Sequence, residues 1–149
     1  MIDGVIQTPL KQIQDERGKV MHMLRCTDPH FKNFGEVYFS WIYPNVIKGW
    51  HKHIKMVMNY AVPIGCIKVI LYDDRPESPT FKQLDEYYMS PEVYYLLTIP
   101  AGLWYGFKVV GTKEAMIVNC SSIPHDPKEI LRISPFDSSI PYNWEIEHA

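Results

Sequence analysis

The segment richest in reactive side chains is Lys48-Gly49-Trp50-His51-Lys52-His53. Its two imidazoles are candidate proton acceptors, because an unperturbed imidazole titrates near neutral pH and can both take and return a proton. In an extended chain successive side chains alternate between faces. The spacing therefore predicts that His51 and His53 share one face with Gly49, while Lys48, Trp50 and Lys52 take the other. A His pair on one face is also how many metal sites begin, completed by a carboxylate from elsewhere in the chain.

Two histidines become a site only if a rigid frame holds them. Short segments rich in β-branched and aromatic residues recur at 20–24, 36–43, 47–53, 56–62, 66–72, 85–89, 93–99, 105–110, 115–119 and 129–133. Pro, Gly, Asp and Ser separate them, with turn signals at 15–18, 63–65, 73–79, 90–92, 100–102 and 124–127. Helical periodicity is scarce, and a helix fits only near a terminus. The pattern predicts an all-β fold, a jelly-roll β-barrel of two sheets, whose mouth is where a ligand enters. The 149 residues suit one domain spanning 1–149, and 46% apolar with 13% aromatic residues is the composition of an ordered globular chain.

Composition also excludes classes of partner. Fifteen Lys and Arg against 17 Asp and Glu give a net charge of −2, and no basic run is present, so no nucleic-acid partner is expected. Cys26, Cys66 and Cys120 are odd in number and scattered, which argues against a disulfide framework and for a reducing, cytoplasmic setting. The start, Met1-Ile2-Asp3-Gly4-Val5, lacks the basic and apolar regions of a signal peptide, and the apolar stretch 54–72 is broken by Lys55, Asn59, Pro63, Gly65 and Lys68. No membrane association is expected.

Several motifs in register resemble the cupin-class enzymes that act on nucleotide sugars, the dTDP-4-dehydrorhamnose 3,5-epimerases. Asp15-Glu16-Arg17-Gly18 resembles the family's Asp-x-Arg-Gly, and Lys48-Gly49-Trp50-His51 resembles its Arg-Gly-Leu-His. Ser78-Pro79-Thr80-Phe81 is its Ser-Pro-Thr-Phe unchanged. Ile99-Pro100-Ala101-Gly102-Leu103-Trp104-Tyr105-Gly106-Phe107 is similar to its Ile-Pro-x-Gly-Phe-Ala-His-Gly-Phe, and Ile140-Pro141-Tyr142-Asn143-Trp144 to its closing segment. Cupins that bind metal follow the His pair with a Glu and add a later His. Here Val57 or Met58 stands at the first position and Tyr105 at the second, so neither a metal nor another cofactor is expected.

The resemblance implies a homodimer whose barrels exchange strands and share site residues, with a nucleoside-diphosphate deoxysugar lying in each barrel. A C4 ketone acidifies the hydrogens at C3 and C5, which a neutral imidazole can remove while a cation or donor holds the enolate oxygen. His51 aligns with the family's base. Arg17 is the candidate for the diphosphate, and Lys48 stands for an Arg that binds substrate. Alternation sends Lys48 to the face opposite His51, so a site role for it requires a bulge or a strand end. Glu36, Tyr38 and Ser40 stand where a Gln, an Asn and a Ser face the ligand, and Glu36 exchanges a donor-acceptor amide for a pure acceptor. Tyr105 replaces a second histidine and is the candidate acid.

Two departures bear on activity. Ser134 occupies the place of an Asp that orients the base, for which Asp126 or Asp137 are candidate substitutes, and Ile123 occupies the place of the acid tyrosine. The His51 and His53 pair is also similar to the Arg-Gly-x-His-x-His of the dTDP-sugar 3,4-ketoisomerases, with His53 then meeting substrate and Tyr38 at the spacing of their tyrosine. The expectation carried forward is an epimerase acting at C3 and/or C5 of a nucleoside-diphosphate 4-keto-6-deoxy sugar, in polysaccharide biosynthesis. The alternatives are a 3,4-ketoisomerase and a cupin that binds a sugar nucleotide without turnover.

Overall fold

In the computed structural model, which describes residues 1–111 and 113–146, the strands follow the alternation and the turns follow the Pro and Gly punctuation. In chain order they are β1 (Ile6–Pro9), β2 (Gln12–Asp15), β3 (Gly18–Met21), β4 (Glu36–Ile42), β5 (Ile47–His53), β6 (Met58–Ile64), β7 (Ile67–Tyr72), β8 (Leu84–Met89), β9 (Tyr95–Ile99), β10 (Trp104–Val109), β11 (Ala115–Ser121) and β12 (Ile130–Arg132). A single 3-10 turn, Pro127–Glu129, is the only helical element among the described residues. None of these is long and apolar enough to be a membrane-crossing helix.

One antiparallel sheet runs β1-β9-β6-β11-β4, a second runs β12-β5-β10-β7-β8, and β2-β3 forms a separate hairpin. Period-2 alternation turns Met58, Tyr60, Leu97, Ile99 and Ile117 of the first sheet toward Ile67, Val69, Leu71, Tyr105 and Phe107 of the second, and these make one buried cluster. This is the expected jelly roll. The outer face of β4 is different: Val37, Phe39 and Trp41 alternate outward and stay 47%, 66% and 40% exposed.

The second sheet carries a further apolar cluster on its outer face, where Trp50, Ile70, Tyr72 and Trp104 are covered by Ile140 and Trp144. The indole N–H groups of Trp50 and Trp144 both donate to the Pro135 carbonyl, at 3.1 and 2.9 Å, and Lys108 Nζ donates to the Trp144 carbonyl at 2.5 Å. These bonds fold the segment 133–146 back across the sheet and hold it beside β5.

The pairing of β5 with β10 corrects one expectation. Tyr105 lies opposite His51 and Phe107 opposite Lys48, so Gly49 and Trp50 together oppose Gly106 alone. This is a β-bulge, and it resets the alternation. Trp50 turns outward into the indole cluster while Lys48 joins His51 and His53 on the inner face. Glycine is required on both strands. A Cβ on Gly49 would lie 2.9 Å from Gly106 Cα, and one on Gly106 would lie 2.9 Å from the Trp144 ring.

Most strand expectations hold, and 47–53 is matched end to end. The strands at 6–9 and 12–15 are additional, and the segment expected at 20–24 pairs instead as Gly18–Met21, because β2 and β3 form a mostly exposed hairpin about the Asp15 to Gly18 turn.

Candidate active site

Inside the barrel the two sheets part to leave a cavity of about 460 Å³, within the range of small-ligand sites. Glu36, Tyr38 and Ser40 reach it from β4, Lys48, His51 and His53 from β5, Tyr60 from β6, Tyr105 and Phe107 from β10, and Arg132 from β12. The structure thus gathers six of the seven residues singled out as site candidates. The seventh, Arg17, is on the exposed β2-β3 turn, where its guanidinium pairs with Asp15 at 2.6 Å, and it does not line the cavity of its own chain.

His51 is half-buried between its register partners Tyr105 on β10 and Arg132 on β12. Among the described residues no side chain hydrogen-bonds its ring. Burial, with help from the charges of Arg132, His53 and Lys48, lowers its pKa from 6.5 to about 4. The ring is therefore neutral at physiological pH and its nitrogen lone pair is free to accept a proton.

His53 has opposite surroundings. It is 4% exposed, its Nδ1 is hydrogen-bonded to a Glu129 carboxylate oxygen, and its Nε2 lies 3.0 Å from the Tyr105 hydroxyl. The other Glu129 oxygen accepts the backbone N–H groups of Lys55 and Met56 at 3.0 and 3.2 Å. Burial works to raise the Glu129 carboxyl, but these donors and His53 outweigh it and keep the group below its ordinary value. The His53 and Tyr105 rings stack 10° from parallel. Burial drives the Tyr105 phenol well above its ordinary pKa, so it is a protonated donor.

On β4, burial also raises the Tyr38 phenol, and Asn119 Nδ2 donates to its oxygen at 2.9 Å from the neighbouring strand β11. Lys48 and Arg132 bring positive charge to the cavity, and Glu36 an acceptor.

Neither Ser134, at the place of the orienting Asp, nor the suggested substitutes Asp126 and Asp137 hydrogen-bonds His51. Ser134 Oγ accepts the Phe136 N–H at 3.2 Å, Asp126 Oδ1 accepts the Lys128 N–H at 2.9 Å, and Asp137 Oδ1 accepts the Ser139 N–H at 2.9 Å, so each stabilises its own turn. Ile123 packs against the core and offers no proton. Sequence reasoning missed Tyr60, Phe107 and His125, which also line the cavity, and above all Arg132 and Glu129. Glu129 and Arg132 belong to the segment expected as a strand at 129–133, and their charges were the available signal. No group of three or more His, Cys, Asp or Glu among the described residues is arranged to hold a metal ion.

The chain is similar to known proteins in sequence and fold. The family model for dTDP-4-dehydrorhamnose 3,5-epimerase matches residues 1–149. The chain is 34% identical over 149 residues to the spore coat polysaccharide biosynthesis protein SpsL of Bacillus subtilis, covering 99% of each. It is 33% identical over 131 residues to the probable low-salt glycan biosynthesis epimerase Agl13 of Haloferax volcanii, covering 87% of this chain and 81% of that one. A dTDP sugar isomerase from Desulfovibrio desulfuricans superposes with a TM-score of 0.93 at 42% identity, over 96% of this chain and 92% of that one. The jelly roll is thereby of the cupin kind.

Proposed function

From the premise that the chain belongs to the dTDP-4-dehydrorhamnose 3,5-epimerase family, we propose that it inverts C3, C5 or both in a nucleoside-diphosphate 4-keto-6-deoxy sugar. The observation that carries this reading is His51, an imidazole held neutral and without a partner, facing a ligand-sized cavity beside a protonated phenol. His51 removes the proton next to the ketone, and the C–H electrons move onto the C4 oxygen. The ammonium of Lys48 and the guanidinium of Arg132 offset the enolate charge. Tyr105, the protonated donor beside the base, returns a proton to the same carbon, and the centre is inverted when that proton arrives on the face opposite the one His51 deprotonates.

A pKa near 4 makes free His51 a weak base. A bound diphosphate supplies negative charge beside Lys48 and Arg132, which opposes their effect and raises the basicity of the imidazole when substrate is present. Glu36 and Tyr38, at the β4 side, are placed to accept from and donate to sugar or base, and His53 meets substrate through Tyr105. The protein acts as a homodimer in this reading. The exposed Val37, Phe39 and Trp41 are an unpaired apolar face on an edge strand, and the projecting β2-β3 hairpin carries Arg17 toward the diphosphate of the second copy. Cys26, Cys66 and Cys120 are not joined in disulfides, which fits work in a reducing, cytoplasmic compartment.

Incubation with dTDP-4-keto-6-deoxyglucose in deuterated water, followed by proton NMR, tests the reading. Deuterium at C3 or C5 with inversion is the expected result. Absence of incorporation into any 4-keto sugar nucleotide overturns it. The location of His53 and Tyr38 in the same cavity favours one second reading, 3,4-ketoisomerisation, for which the same spectra would show the ketone moved to C3 with no inverted centre.

A further inference from the structure

We propose that Glu129, His53 and Tyr105 form a proton relay that reloads the acid side of the site, with Glu129 as its positioning residue. The inference rests on the epimerase reading, and it concerns the return of the proton rather than its removal. The three groups form one chain from the 3-10 turn to the cavity: carboxylate to Nδ1, then Nε2 to the phenol oxygen at 3.0 Å. All three residues are buried, at 5%, 4% and 5% exposure, so bulk water does not reach the joints between them.

Glu129 cannot swing away, because the Lys55 and Met56 N–H groups fix its second oxygen. The carboxylate therefore sets the ring orientation of His53 and directs Nε2 at Tyr105. Such a device is needed because a buried phenolate is costly. A phenol that gives its proton to carbon must be resupplied in the same event. A His53 carrying protons on both nitrogens, opposite an ionised carboxylate, can supply it.

The step balances. As the enolate electron pair moves from the C4 oxygen back to carbon, a C–H bond forms with the Tyr105 proton and the Tyr105 O–H bond breaks. The His53 Nε2–H bond then breaks as its proton passes to the phenol oxygen, which leaves a neutral ring still donating from Nδ1 to Glu129. The proton held by His51 goes to solvent, and His53 is recharged through Tyr105, whose phenol passes its proton to Nε2 and takes another from water in the cavity it lines. The resemblance implied a carboxylate behind the base, whereas here the carboxylate stands behind the other histidine.

The test separates two rates measured on the whole protein in deuterated water: exchange at the substrate carbon, which needs His51 alone, and inversion, which needs the relay. In Glu129→Gln inversion falls about 100-fold while exchange stays within a few-fold of the parent. His53→Gln gives the same split and carries the test if Glu129→Gln does not fold. If both rates fall together in the folded variants, the role of Glu129 is merely structural and the relay is wrong. If both variants invert at the parent rate while Tyr105→Phe does not, the relay is overturned and the epimerase reading stands. A parent protein that neither exchanges nor inverts refutes both.

Discussion

Two imidazoles on one strand, with a single residue between them, end in opposite electrostatic surroundings. His51 stays neutral because it is half-buried, and the charges of Arg132, His53 and Lys48 add to that effect. His53 is backed by a buried carboxylate and fronted by a phenol. The strand cannot make this difference, since β5 presents both rings to the same face. It is made by what comes next to β5: the 3-10 turn delivers Glu129 to the inner position, and β12 delivers Arg132 to the outer one. Neighbouring strands, rather than residue type, divide one His-x-His pair into a proton acceptor and a proton donor's partner.

The comparison breaks most severely at His51. His51→Asn should lower both exchange and inversion about 1,000-fold while leaving nucleotide-sugar binding by calorimetry near the parent value, since the variant keeps the shape of the site and loses its base. Tyr105→Phe should divide the two reactions, with inversion down about 100-fold and deuterium exchange at the substrate carbon largely kept. Equal loss of both reactions in Tyr105→Phe would place the phenol on the His51 side of the chemistry.

The pH profile sharpens the contrast more gently. His51 must be neutral to act, so kcat/KM for exchange, which reports the free protein, should hold as pH falls and drop only near pH 4. Arg132→Gln removes a positive charge that opposes protonation, so the drop should move to higher pH. A profile unmoved by Arg132→Gln would remove that side chain from the account.

The smallest effect is on stability. His51 binds its proton at pH 6.5 when unfolded and only near 4 when folded, so between these values the unfolded chain holds more protons. The His51 contribution to stability is complete above pH 6.5 and is lost as pH falls toward 4. Denaturant melts of the parent against His51→Asn should converge at neutral pH and separate, with the variant less acid-sensitive, at pH 5.

Alternation alone pairs His51 with His53 on one face of β5 and Glu36 with Tyr38 on one face of β4, whereas it is the family resemblance that turns these faces, and Tyr105 on β10, toward a ligand. Lys48 was assigned to the wrong face for a physical reason. The bulge depends on Gly49 meeting Gly106, a contact between strands that no window of sequence contains. Glu129 was missed for the same reason, since 76 residues separate it from His53 and its side chain looks like any turn carboxylate. Among the strands, β1 ends in Pro9 and β2 is polar and mostly exposed, so neither carries the apolar alternation that marks a buried strand.

The indole cluster behind β5 has an optical consequence. Of the four tryptophans in the chain, Trp50, Trp104 and Trp144 belong to that one cluster, while Trp41 sits 40% exposed on the open face of β4. Ultraviolet emission therefore divides into a blue component from the shielded trio and a red component that iodide quenches. The blue signal follows detachment of the closing segment from the second sheet. The red signal, and its loss of quenching at high protein concentration, follows whatever settles on β4.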